Sequence, residues 1–148
     1  MSMIMVVDDD ANIRAVLKYR FEKEDFTVCL AKNGLDALEQ IGKELPDLVI
    51  IDLLMPVMNG IELLSHLREN PRTVNIPVIV LTALGRTPFY YRTHELRALS
   101  LVEKPFSPRH LVEEVKEALD GACISMQRRW GKSQESAPRE DLLDLAKS

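Results

Sequence analysis

Short apolar runs alternate with helically spaced apolar positions from the first residues to about residue 120. "MIMVV" (3–7), "TVCLA" (27–31), "LVIID" (48–52), "VIVLT" (78–82) and "SLVEK" (100–104) are brief and rich in aliphatic and β-branched side chains. That is the pattern of strands covered on both faces. Between them, Ile13, Val16, Leu17, Arg20 and Phe21 recur at helical spacing, and Leu35, Leu38 and Ile41 do so after Asn33-Gly34. Ile61, Leu64 and Leu67 predict a third helix, and Leu111, Val115, Ala118 and Leu119 a fifth. The fourth, over 88–97, carries the faintest pattern: Pro88 suits its first turn, with Phe89, Thr93 and Leu96 turned inward. Five strand–helix repeats predict an α/β domain with a parallel sheet.

Composition narrows the class further. The 148 residues are 46% apolar and 28% charged, as in an ordinary globular domain with one core. A net charge of −4 argues against strong non-specific nucleic-acid binding while leaving room for a local basic patch, and direct nucleic-acid binding is not expected. No apolar run approaches the roughly 18 residues of a membrane span, and "MSMIMVVDDD" turns acidic too early for a signal peptide. Cys29 and Cys123 lack CxxC or metal-ligand spacing and read as small core residues in a reducing compartment. A cytoplasmic location is expected. Residues 1–121 carry the folded pattern, and 122–148 read as a flexible tail. "QRRWGKSQESAPRE" is made of small, polar and breaker residues, while "REDLLDLAKS" is patterned for a short helix. The tail is too short for a helix-turn-helix output domain.

Candidate chemistry sits at the strand ends. Ligands of open parallel α/β sheets bind at the carboxyl ends of the strands. Strand one ends in Asp8-Asp9-Asp10, strand three in Asp52, strand four in Thr82 and strand five in Lys104. Neighbouring strands lie about 5 Å apart, so these groups can share one pocket. Carboxylates gathered there repel one another unless a cation intervenes, and hard oxygen ligands favour Mg²⁺ or Mn²⁺. Thr82 adds a hydroxyl donor and Lys104 a point charge, completing a set suited to transferring and holding a phosphoryl group. Asp52, with an ordinary carboxylate pKa of about 4, would be ionised at neutral pH and could attack phosphorus without a general base. Taken singly, Asp52 could equally cap a helix, and Thr82 or Lys104 would mean nothing. His66, His94 and His110 lack metal-ligand spacing and read as surface or half-buried groups. Of Phe89-Tyr90-Tyr91, one should pack inward, leaving at least one tyrosine exposed as a contact candidate.

"MVVDDDANIR", "VIIDLLMPVMNG", "VIVLTA" and "VEKPF", in this order, resemble the receiver domain of two-component response regulators, in a single-domain form like the chemotaxis regulator. The likeness covers about residues 1–121. It implies a flavodoxin-like, doubly wound five-stranded parallel sheet in the order 2-1-3-4-5. It further implies Asp52 as phosphoacceptor, Asp8, Asp9, Asp52 and Leu54 as metal positions, and Thr82 and Lys104 as contacts to the phosphoryl oxygens. Lys104-Pro105 would be cis, Asp10 would cap the first helix and Asn59-Gly60 would open the third. The implied partners are a sensor histidine kinase or histidine phosphotransfer protein and a downstream protein on the helix 4–strand 5–helix 5 face, with a homodimer open. Such a domain is not a conventional enzyme; it assists phosphorylation and dephosphorylation of its own Asp52.

Two departures qualify this reading. Leu101 stands where the family usually carries an aromatic switch residue, and Arg97-Ala98 replaces a usual Gly-Ala. A weakly switching interaction module, or the N-terminal receiver of a longer signalling protein, therefore remains an alternative. Leu54 and Leu84, by analogy, border the path of a hydrolytic water; both are bulky and apolar, which implies a long-lived phosphorylated form. A haloacid dehalogenase-type phosphatase would want an acid where Leu54 stands. A flavin protein would want a Ser/Thr/Gly-rich loop after strand one.

Overall fold

In the computed structural model, the described residues are 2–83 and 88–120, with the side chains of 88–90 left aside. Along the chain run β1 (Met3–Val7), α1 (Ala11–Lys23), β2 (Thr27–Ala31), α2 (Gly34–Lys43) and β3 (Leu48–Asp52). They are followed by α3 (Gly60–Glu69), β4 (Val78–Thr82), α4 (Pro88–Glu95) and β5 (Ser100–Glu103). Residues 108–120 are helical and form α5. All pairings are parallel, in the order β2-β1-β3-β4-β5. The fold is the doubly wound, flavodoxin-like sheet expected from the sequence. The strand expected over 100–104 is one residue shorter and ends at Glu103, although the Lys104 amide still donates to the Thr82 carbonyl of β4.

The period of two along each strand sorts the core into two layers. Met5, Val7, Val49, Ile51, Val78 and Val80 face α2, α3 and α4. Ile4, Val6, Leu48, Ile50, Ile79 and Leu81 face α1 and α5, where Leu17, Phe21, Leu111 and Val115 close the layer. β1, β3 and β4 are covered on both sides, whereas β2 and β5 are only partly covered. Burial on both faces, expected of every strand, fails at these two because each is an edge.

Local sequence fixes the helix starts. Asp10 accepts from the Asn12 amide at 2.8 Å and Asn33 from the Asp36 amide at 2.8 Å. Asn59 accepts from the Glu62 amide at 2.9 Å while Glu62 accepts from the Asn59 amide at 3.2 Å, a reciprocal capping box. Each cap is worth about 1 kcal/mol. Two apolar residues of the sequence pattern face solvent instead: Val16 is 47% exposed and Leu35 49%. In α2 the buried stripe is Gly34, Ala37, Leu38 and Ile41, so Leu35 falls just off it. On α4, Thr93 is fully buried, and Tyr91 and Leu96 pack against the core. Phe89 and Tyr90, Leu84, Cys123 and the expected tail over 122–148 lie outside the described residues or side chains.

Arg68 ties the end of α4 to α3 and to the loop that follows it. Arg68 of α3 donates through Nε to the Leu96 carbonyl (2.8 Å) and through Nη2 to that of Arg97 (3.2 Å). Its Nη1 reaches the carbonyls of Val74 (3.0 Å) and Ile76 (2.9 Å). Burial, helped by the charge of Arg97, pulls the Arg68 guanidinium down to about 10. Among the described residues, no helix is long and apolar enough to cross a membrane.

Candidate functional site

Four strand ends converge at the carboxyl edge of the sheet. Asp8 follows β1 and extends its ladder, its amide donating to the Ala31 carbonyl at 3.1 Å. It is fully buried. Its Oδ1 accepts from the Asp10 amide at 2.9 Å, and its Oδ2 lies 3.2 Å from Lys104 Nζ. Asp52 closes β3 and is 4% exposed, with Oδ1 3.1 Å from the same ammonium. Thr82 closes β4, buried, and its carbonyl accepts from the Lys104 amide at 2.7 Å. The lysine is thus fixed to β4 by its main chain and bridges two carboxylates with its side chain. The peptide Lys104-Pro105 is cis, as the resemblance implied.

Oxygens of Asp8, Asp9 and Asp52 lie within 4.8 Å of one another. Burial, followed by the charge of Asp8, pushes Asp52 up to about 6, against the opposing pull of Lys104. That corrects the ordinary value of about 4 assumed from sequence: a strand-end carboxylate in a dry pocket loses solvation that one lysine does not restore. Asp8 is also raised, chiefly by burial, with the Asp10 amide and Lys104 pulling the other way. At Lys104, burial favours the neutral amine, but Asp52 and Asp8 together outweigh it and hold the ammonium above its usual value. Three carboxylates facing one lysine leave excess negative charge, so the donor set fits a hard divalent cation such as Mg²⁺ or Mn²⁺. Leu54, 50% exposed, has no side-chain donor; the oxygen its position can offer is the main-chain carbonyl.

The loop from Asp52 to α3 is shaped by close backbone contacts. The Gly60 amide donates to the Leu53 carbonyl at 2.9 Å. Val57 has φ 70°, and the Met58 amide donates across it to the Pro56 carbonyl at 2.8 Å, a γ-turn of the strained, positive-φ kind. Beside the pocket, an open groove of about 450 Å³ runs between Ile13 and Val16 of α1 and the Pro105–Pro108 turn, with Lys104 in one wall.

The structure brings Asp8, Asp9, Asp52 and Lys104 together and sets Thr82 at the adjoining strand end. Asp10 is spent on capping α1, as expected. His66 and His110 are exposed and His94 half-buried, away from any such cluster. Sequence reading missed Arg14, whose Nη1 donates to the Asp8 carbonyl at 2.6 Å. A cation so early in a helix was the available signal.

Comparison with known proteins gives a consistent picture. Residues 4–116 match the family model described as the response regulator receiver domain. The chain is 39% identical over 116 residues to sporulation initiation phosphotransferase F of Bacillus subtilis, covering 78% of this chain and 89% of that one. It is 36% identical over 137 residues to the phosphate regulon transcriptional regulatory protein PhoB of Pseudomonas aeruginosa, covering 93% of this chain but 56% of that one. Among solved structures, the signal receiver domain of a signal transduction histidine kinase from Syntrophus aciditrophicus superposes with a TM-score of 0.77 at 32% identity. That match covers 83% of this chain and 93% of the other.

Proposed function

The chain belongs to the response regulator receiver domain family, and from that premise we propose that Asp52 accepts a phosphoryl group from a phosphohistidine. The donor would be a sensor histidine kinase or a histidine phosphotransfer protein. The observation that carries this reading is the Lys104 ammonium bridging Asp52 and Asp8 at 3.1 and 3.2 Å.

A carboxylate oxygen of Asp52 attacks phosphorus, and a P–O bond forms as the P–N bond breaks. The electron pair leaves on the imidazole nitrogen. With a pKa of about 6, Asp52 is still roughly nine-tenths ionised at pH 7, so no general base is required. Lys104 is held by its amide to the Thr82 carbonyl and presents its charge where the phosphoryl oxygens arrive. The buried Thr82 supplies a hydroxyl at the next strand end. A divalent cation held by Asp8, Asp9 and Asp52, with the Leu54 carbonyl, would neutralise charge on the transferring group. The groove along Ile13, Val16 and the Pro105–Pro108 turn shares a wall with Lys104 and offers a donor protein an apolar approach. A cytoplasmic setting, and a downstream protein on the α4–β5–α5 face, complete the proposal.

Mass spectrometry after treatment with acetyl phosphate and Mg²⁺ tests the assignment. Wild type should gain the adduct and Asp52→Asn should not; equal labelling of both would refute it.

A second reading, a receiver that binds partners but switches little, draws support from Leu101. This residue packs against the layer that holds Tyr91 and Leu96 and has no hydroxyl to exchange between states. A beryllofluoride complex separates the two. Switching predicts the largest amide shifts over 84–97, whereas the module predicts shifts confined to 8–10 and 52–60.

A further inference from the structure

We propose that Arg14 is the positioning residue of the acidic pocket, fixing the Asp8–Asp9 peptide so that the exposed Asp9 carboxylate is presented to a divalent cation. The proposal rests on the reading of Asp8, Asp9 and Asp52 as metal-holding groups.

The placement of Arg14 asks for a reason. It is the fourth residue of α1, whose first turn holds no acid. A cation near a helix N-terminus opposes the helix dipole. Arg14 is nevertheless half-buried, and its guanidinium donates to a main-chain carbonyl at 2.6 Å, a short, charge-assisted bond. That carbonyl belongs to Asp8.

Every polar group of Asp8 is thereby engaged. Its amide goes to Ala31, its Oδ1 receives the Asp10 amide, its Oδ2 receives Lys104, and its carbonyl receives Arg14. Asp9 is different. It is exposed, and among the described residues no hydrogen bond holds its carboxylate. The direction of that carboxylate therefore depends on the main chain from which it hangs. The peptide plane joining Asp8 to Asp9 carries two polar atoms, the Asp8 carbonyl oxygen and the Asp9 amide. Arg14 grips the first and so sets the rotation of the plane. Groups that orient metal ligands in this way typically change affinity by about 10-fold or more when removed.

Charge and geometry make opposite forecasts. Removing a positive charge beside three carboxylates should, by Coulomb attraction alone, tighten Mg²⁺ binding. Removing a positioning bond should loosen it. Calorimetric titration of MgCl₂ into the full chain decides between them, using wild type, Arg14→Met, Arg14→Lys and Asp9→Asn. Arg14→Met should weaken Mg²⁺ binding about 10-fold. Arg14→Lys keeps the charge and one donor and should recover part of that loss. At saturating Mg²⁺, labelling of Arg14→Met by acetyl phosphate should return to the wild-type rate, because the loss lies in affinity. Unchanged or tighter binding in Arg14→Met overturns the proposal. If that variant does not fold, an Arg14→Lys protein that binds Mg²⁺ as wild type does after its donor is shown to have left the Asp8 carbonyl overturns it as well. A wild type that binds no Mg²⁺, or an Asp9→Asn variant that binds it normally, refutes the metal reading itself.

Discussion

Gly60 sits so close to Asp52 that a Cβ at position 60 would lie 2.5 Å from the Asp52 carbonyl oxygen and 2.8 Å from the Leu53 Cα. Both obstacles are main chain, so no rotamer change relieves them. Gly60→Ala should destabilise the fold by about 1–3 kcal/mol despite the better helix propensity of alanine. It should also slow acetyl phosphate labelling by displacing the strand end that carries Asp52. Urea unfolding and adduct mass spectrometry read the two effects; a stability gain would show that α3 simply shifts outward.

The elevated Asp52 pKa gives a pH dependence of defined sign. Its carboxyl titrates at about 6 when folded and at about 4 when unfolded. Between these values the native state holds more protons, so the Asp52 contribution to stability falls as pH rises and levels off above about 6. Added Mg²⁺ competes with that proton. Its stabilising effect should be full above about pH 6 and shrink below, and Asp52→Asn should lose most of the dependence. Thermal midpoints across pH, with and without MgCl₂, check this, and an equal Mg²⁺ effect at both ends would contradict it.

Val57 is a β-branched residue in a left-handed turn, 75% exposed. The strain is worth about 1–3 kcal/mol. Replacing it with glycine gives back about 0.4–1 kcal/mol through the unfolded chain and loses little packing at so exposed a site. Strain relief wins on these magnitudes. Val57→Gly should raise stability by about 1 kcal/mol, measured by denaturant midpoint at unchanged m-value; a destabilised variant would mean that the side chain packs more than its exposure indicates.

The phosphorylated form should persist. By family analogy, positions 54 and 84 border the approach of a hydrolytic water, and leucine at either cannot orient one. Replacing Leu54 by Asn and Leu84 by Glu should shorten the lifetime about tenfold, which takes about 1.4 kcal/mol of barrier. Loss of label from purified protein, without kinase, measures it. An unchanged lifetime in the double variant would dispose of the idea.

Much of this architecture was legible because its signals are local. The five strands are apolar runs bounded by polar residues, and Asp10, Asn33 and Asn59 announce their helices by capping chemistry within three residues. Strand-end placement also pointed to Asp8, Asp9, Asp52, Thr82 and Lys104 before any geometry was known. What escaped depends on distant partners. Leu35 and Val16 look like core residues until the sheet determines which helical stripe is covered. The ordinary pKa assigned to Asp52 ignored the burial that lifts it. Arg14 escaped because its acceptor is a backbone carbonyl, which has no residue type to recognise.

The Arg68 tie has a consequence for what a partner can feel on the surface. Its guanidinium staples the chain at Leu96 and Arg97, just past α4, while residues 83–87 link the opposite end of that helix to Thr82. If α4 switches as proposed, a push from the pocket would work a lever whose fulcrum lies at 96–97. Travel grows with distance from the fulcrum, so the Pro88 end would sweep while the Glu95 end would barely shift. A protein docking near the fulcrum would meet the same landing surface in either state; one docking near Pro88 would sense the signal.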